Sequence, residues 1–210
     1  MELLANNYRP KKLQDIIGQT HLIGDNKIIT NLVKNKKLFS MILYGKPGIG
    51  KTSIANALVE ELQVRHRFLN AVINTKADFE VVVSEAKMYG EMVVIMDEIH
   101  RLNKDKQDLL LPYLESGLII LIGLTTSNPY HVINPAIRSR TQIFELKELT
   151  IEDIKLGLKK IAKSEKFKID DESLEYIAKL SSGDFRSAIN LLDLAANSTN
   201  DKKITLDLLK

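Results

Sequence analysis

The chain has 210 residues, 44% of them hydrophobic, with a net charge of +3 and no cysteine. That length suits one medium domain plus a small one, and the composition is that of an ordinary globular protein. Missing cysteine excludes disulfides and cysteine-ligated zinc. No apolar run approaches the roughly twenty residues that span a bilayer, nothing resembles a signal peptide, and the charge is too small to argue nucleic-acid binding by itself. No membrane partner is expected, and a cytoplasmic location is the default expectation. Lys34, Lys36, Lys37, Lys202 and Lys203 read as solvated surface.

In chain order, the first strong signal is the apolar run Met41-Ile-Leu-Tyr44, a buried strand over residues 41–44. A helical pattern over 51–62 follows. Strand-like runs at 67–70, 92–96, 118–124 and 142–146 then alternate with helical stretches at 77–89 and 104–114. This alternation predicts an α/β fold: a parallel five-stranded sheet with helices on both faces. Beyond Leu149 the strand signal stops. Helical spacing at 151–163, 171–180 and 184–196 predicts a small all-α lid, whose first helix opens on Thr150 as cap with an acidic first turn. The boundary is expected near 148–150, giving a core over 1–149 and a lid over 150–210. Residues 204–210 read as the start of another helix, so the chain is expected to be a piece cut before a further domain.

Between the first strand and helix stands Gly45-Lys46-Pro47-Gly48-Ile49-Gly50-Lys51-Thr52, followed by Ser53. Strand, glycine-rich turn and helix are the context of a P-loop. Glycines let main-chain N–H groups turn inward around phosphate oxygens. Lys51 would reach the β- and γ-phosphates of ATP, and Thr52 would place its hydroxyl on Mg²⁺. The apolar run 92–96 ends in Asp97-Glu98. Asp97 has the position of a Walker-B aspartate that holds Mg²⁺, and Glu98 that of the group that orients and polarises the attacking water. His21, His66, His100 and His131 show no metal-ligand spacing. His100 is read as a strand-end residue that could stand behind Glu98.

Further segments carry a family resemblance. Tyr8-Arg9-Pro10 with Asp15-Ile-Ile-Gly18-Gln19 resembles the N-terminal adenine-binding box of clamp-loader-like AAA+ proteins. Asp97-Glu-Ile-His-Arg-Leu-Asn-Lys104, continuing through Gln107-Asp-Leu-Leu-Leu-Pro-Tyr-Leu-Glu115, resembles the replication-associated recombination protein A family of AAA+ ATPases. So do Gly123-Leu-Thr-Thr-Ser-Asn128-Pro129 (its sensor-1 loop), Asn134-Pro-Ala-Ile-Arg-Ser-Arg140 (its arginine-finger segment) and Gly183-Asp-Phe-Arg186 (its sensor-2 motif). The resemblance spans nearly the whole chain, in order.

The resemblance implies Mg²⁺-dependent hydrolysis of ATP to ADP, coupled to work on single-stranded, branched or fork DNA in replication, recombination and repair. It implies that Arg9, Pro10, Ile17 and Gly18 line the adenine pocket, with Ile16 beside them. Asn128 would address the γ-phosphate or water, and Arg186 would couple nucleotide state to the lid. Arg140 would be a finger acting on a neighbouring subunit's ATP, which requires a homo-oligomer; whether Arg138 shares that role stays open. Thr75, Lys76, Arg101 and Lys104 would lie near a DNA channel. The resemblance implies tetramers formed through a C-terminal domain, so this piece is expected to assemble poorly; a contact with single-strand-binding protein and association with the nucleoid are implied as well. Rival readings are a clamp-loader subunit, a branch-migration motor, a non-hydrolysing ATP-gated interaction module and a small-molecule kinase. Missing cysteine argues against the first, a weaker resemblance at Asp97–Glu115 against the second, the presence of Glu98, Asn128 and Arg140 against the third, and the finger, sensor 2 and lid, which a kinase would not need, against the fourth.

Overall fold

The computed structural model describes residues 4–199 and 201–210. Three short helices, α1 (Leu4–Asn7), α2 (Thr20–Ile23) and α3 (Ile28–Lys34), precede β1 (Met41–Tyr44). Then come α4 (Lys51–Leu62), β2 (His66–Asn70), α5 (Lys76–Tyr89), β3 (Met92–Asp97), α6 (Lys104–Asp108), α7 (Leu111–Glu115) and β4 (Ile119–Thr125). After them stand α8 (Pro129–Val132), α9 (Pro135–Arg138) and β5 (Gln142–Glu145). The lid holds α10 (Ile151–Glu165), β6 (Lys168–Ile169), α11 (Asp171–Leu180), α12 (Phe185–Asn197), β7 (Lys203–Ile204) and α13 (Leu206–Leu209).

The sheet is parallel throughout, in the order β2-β3-β4-β1-β5. Its strands are apolar runs because both faces are covered. Successive side chains point to opposite faces, so Val93 and Ile95 of β3 pack with Ile54 and Leu58 of α4, while Val94 and Met96 pack with Phe79 and Val82 of α5. The α4 side is continuous with Leu13 and Ile16 of the N-terminal arm and with Leu158, Ile177 and Leu192 of the lid. Arm, core and lid therefore share one apolar cluster. A Leu→Ala change at Leu58, which is wholly buried, would cost about 2–5 kcal/mol.

This topology places three strand ends side by side. Tyr44 of β1 is in register with Thr125 of β4, and Met96 of β3 with Gly123 of β4. The loops that leave β1, β3 and β4 thus open on one edge, the carboxyl edge where α/β sheets hold ligands.

Two expectations change. The helix expected over 104–114 is two, α6 and α7, with a break at Leu109 and Leu110. Pro112 is the cause: it has no N–H to donate and its ring crowds the carbonyl four residues back, that of Asp108. The lid is helical as expected but gains a two-residue parallel ladder, Lys168 against Lys203 and Ile169 against Ile204. α10 opens with a reciprocal capping box: Asp153 N–H donates to Thr150 Oγ1 (3.1 Å) and Thr150 N–H to Asp153 Oδ2 (3.0 Å). Among the described residues no helix is long and apolar enough to cross a membrane.

Candidate functional site

A cavity of about 600 Å³ opens where arm, P-loop and lid meet. Tyr8, Arg9, Pro10, Ile16 and Ile17 line it from the arm, Gly48 through Ser53 from the loop, and Gly157, Phe185, Arg186 and Ile189 from the lid. The structure therefore brings Arg9, Pro10 and Ile17 to the P-loop, as the motif order leads one to expect. Gly18 does not reach the lining. Its φ is +64°, and a Cβ there would stand 2.7 Å from Leu149 Cδ2, so it serves the joint between arm and lid.

The loop is built for an anion. Gly50 caps α4 at φ 109°, a conformation that side chains resist. The first N–H groups of a helix have no intrahelical acceptor; here Lys51, Thr52 and Ser53 present theirs at the cavity, with the positive end of the α4 dipole behind them. Among the described residues no main-chain acceptor takes the N–H of Gly48, Ile49 or Gly50. Lys51 Nζ lies within the loop and donates to the carbonyls of Gly45 and Lys46, both at 2.7 Å. Lys46 itself pairs with Glu148 at 2.6 Å, and Pro47 is exposed at the loop tip. Burial lowers the Lys51 pKa, while Asp97, Glu98 and Asp184 pull it the other way. The carboxylates of Asp97 and Glu98 thus favour the charged form of Lys51.

Asp97 Oδ1 accepts the Glu98 N–H at 2.9 Å, which leaves Oδ2 for a cation. Glu98 sits in the left-handed region at φ 53°, ψ 37°. Its Oε2 lies 3.3 Å from His100 Nε2. Among the described residues no three His, Asp or Glu side chains gather as a metal cage.

Asn128 caps α8: its Oδ1 accepts the Tyr130 N–H at 3.0 Å, leaving Nδ2 as a donor. Arg186, exposed in the first turn of α12, lines the cavity. Arg140 does not line it. Its guanidinium pairs with Glu115 and donates to Ala136 O at 2.8 Å, neither of them a residue of the lining. Arg138 donates to Ile133 O at 3.2 Å and stacks over the Tyr130 ring. Thr75, Lys76, Arg101 and Lys104 are all exposed.

Four structural residues of the site carried no role in the sequence reading. Gln19, 5% exposed and at φ 53°, donates to Ile49 O (3.0 Å) and Lys147 O (2.7 Å) and accepts the Lys147 N–H (2.9 Å). It pins the P-loop to the chain leaving β5. Asp184 caps α12 through the Ser187 N–H at 3.0 Å, and its carboxylate fills the space where a Cβ on Gly48 would stand. Phe185 N–H donates to Gly48 O at 3.1 Å, so lid and loop are joined by main chain. Gly157 admits Ile17 and Phe185 side by side: a Cβ there would meet them at 2.1 Å and 2.5 Å. A glycine inside a helical pattern was its only local signal.

Residues 8–141 match the family of the Holliday junction DNA helicase RuvB P-loop domain, and residues 163–210 match an AAA C-terminal domain. The replication-associated recombination protein A of Bacillus subtilis is 56% identical over 208 residues, covering 96% of this chain and 49% of that protein. The protein of the same name from Haemophilus influenzae is 34% identical, covering 99% and 50%. The chain thus spans about half the length of these curated relatives. Among solved structures, the Thermotoga maritima RuvB Holliday junction branch migration motor superposes with a TM-score of 0.83 at 28% identity, over 99% of this chain and 71% of that one. The branch-migration rival therefore shares the core architecture, while the higher identities lie with the recombination protein A relatives. The chain belongs to the Holliday junction DNA helicase RuvB P-loop domain family, and over nearly all its length it is similar to replication-associated recombination protein A.

Proposed function

We propose that this chain binds ATP with Mg²⁺ in the cavity between arm, P-loop and lid, hydrolyses it, and couples hydrolysis to work on DNA at stalled or damaged replication forks. The observation that supports this most is the placing of Lys51 inside a loop of unpartnered N–H groups, within electrostatic range of Asp97 and Glu98. The base would lie between Ile17 and Phe185, against Arg9 and Pro10. The loop N–H groups and Lys51 would hold the phosphates, and Thr52 and Asp97 Oδ2 the Mg²⁺. The cation, when bound, would neutralise charge on the phosphates.

Glu98 would orient water and take its proton, and the Asn128 Nδ2 would fix the γ-phosphate or that water. Arg186, entering from the lid, would bind the nucleotide's phosphates and draw α12 onto the loop through the Phe185–Gly48 bond. Arg140, turned away from its own cavity, would stabilise the transferring phosphoryl group on a neighbouring copy, a contribution of roughly 10³–10⁵ in rate. We assign residues 1–149 to the core and 150–210 to the lid.

Action on DNA is carried over from the printed names of the relatives and of the family, supported here by the exposed Thr75, Lys76, Arg101 and Lys104, while a cytoplasmic, nucleoid-associated location rests on the resemblance alone. Homo-oligomer formation is supported by the outward Arg140, and a contact with single-strand-binding protein rests on the resemblance alone. Lys51→Ala tests the reading. ATP affinity should fall well over tenfold while the unliganded melting temperature stays within about 3 °C, about one kcal/mol for this size. Unchanged affinity would remove the cavity from consideration as the ATP site.

A further inference from the structure

The Glu98 carboxylate does not stand alone. The residue is left-handed at φ 53°, a conformation that persists where surroundings enforce it and that clusters at working sites. Its Oε2 lies 3.3 Å from His100 Nε2, on a side chain only 12% exposed. The other ring nitrogen, Nδ1, lies 2.9 Å from Thr125 Oγ1. Thr125, buried at the end of β4, accepts the Ser127 N–H at 3.0 Å on that same oxygen. A carboxylate only accepts, so the His100 nitrogen that faces Glu98 carries a hydrogen; the opposite nitrogen shares a hydrogen with Thr125 Oγ1, whose hydroxyl also has Ser127 O at 3.3 Å. The Ser127 N–H donates to Thr125 Oγ1, Thr125 Oγ1 is hydrogen-bonded to His100 Nδ1, and His100 Nε2 stands at ion-pair distance from the Glu98 carboxylate. Ser127 immediately precedes Asn128. The loop that carries Asn128 and the carboxylate of Glu98 are therefore joined through one imidazole, across two neighbouring strands.

We propose that His100 is a positioning residue, which fixes the Glu98 carboxylate by tying it to Thr125 at the root of the Asn128 loop. The proposal rests on the reading of Glu98 as the group that activates water. It predicts that orientation of that carboxylate, and not nucleotide binding, is lost when the imidazole is removed, because misplacing a reacting group by an ångström costs on the order of a hundredfold in rate.

The test uses this chain as Glu98→Gln, His100→Phe, His100→Gln and Thr125→Val variants, with the His100→Phe/Thr125→Val pair. For each, ATP affinity, steady-state turnover and melting temperature are measured on one preparation. Glu98→Gln should bind ATP and be inactive; an active Glu98→Gln would overturn the reading of Glu98 and this proposal with it. Given an inactive Glu98→Gln, His100→Phe should lose at least about tenfold in kcat with ATP affinity within about twofold of the parent. His100→Gln, which can still donate near the Nε2 position, should recover much of that loss. Thr125→Val should lose less than His100→Phe, and the pair no more than His100→Phe alone, as members of one chain do. If His100→Phe turns over within twofold of the parent, or His100→Gln fares no better than it, the proposal is overturned. Should His100→Phe fail to fold, His100→Gln and Thr125→Val decide by the same split between kcat and affinity.

Discussion

Gly157→Ala separates adenine recognition from phosphate binding. The new methyl carbon would stand 2.1 Å from Ile17 Cδ1 and 2.5 Å from Phe185 Cζ, so both must move. Gly157 sits mid-helix in α10 with ordinary backbone angles, and alanine there gains roughly 1 kcal/mol of helix propensity. Overpacking costs about 1–3 kcal/mol. Ile17 contributes only the far end of a flexible side chain, but the Phe185 ring is stiff and anchored by its N–H on Gly48 O. The net destabilisation is therefore about 0–2 kcal/mol, a fall in melting temperature of at most about 8 °C for a chain of this size. Ile17 and Phe185 are the walls assigned to the base, so ATP affinity should fall at least about tenfold, or about 1.4 kcal/mol. Inorganic tripolyphosphate, which has no base, should bind the variant as it binds the parent. Calorimetric titration of both ligands into both proteins gives the comparison. Equal losses for the two ligands, or none for ATP, would refute the placing of the base between Ile17 and Phe185.

Gln19→Ala removes three hydrogen bonds from a buried position and leaves Ile49 O and both Lys147 groups without that partner. A cost of about 2–4 kcal/mol is expected, read as a fall of roughly 5–12 °C in melting temperature; a change under about 2 °C would show that water replaces the side chain freely. If its guanidinium serves another copy, as proposed, Arg140→Ala should bind ATP normally and be nearly inactive. Mixed in equal parts with Glu98→Gln in an assembled state, it should regain activity at up to about a quarter of interfaces, those that pair an intact Glu98 with an intact Arg140. Specific activity should also rise with protein concentration. Concentration-independent activity with no rescue on mixing would place Arg140 in its own chain's chemistry.

What was legible in the sequence was local. The strand 41–44, the glycine pattern and the helix 51–62 are contiguous, and each carries its own periodicity or turn chemistry, so β1, the P-loop and α4 fall where the residues put them. Asp97-Glu98 were legible because a doubly buried strand must end where charge begins. The Pro112 break was readable in principle, but the apolar spacing of 104–114 outweighed one proline. The helices α1 to α3 left too few turns for a 3.6-residue period, and packing of α1 on the lid helix α12, of α3 on α4 and of α2 on α3 decides them. Two-residue strands 35 positions apart (168 against 203) have no periodicity to read. Gln19 could be seen as part of a motif but not as a clamp, because its partner Lys147 is 128 residues away. His100 stands beside Glu98 in sequence, yet its second partner, Thr125, is brought to it only by the adjacency of β3 and β4.

The most direct measurement is nucleotide binding and turnover of Glu98→Gln on one preparation. The amide keeps the shape of the side chain but orients water poorly and accepts no proton. The cavity, the P-loop and Lys51 remain intact. ATP should therefore bind within about threefold of the parent affinity, while turnover falls by at least about a hundredfold. Turnover near that of the parent, with ATP bound as tightly, would contradict the assignment of Glu98 and with it the account of how this cavity hydrolyses ATP.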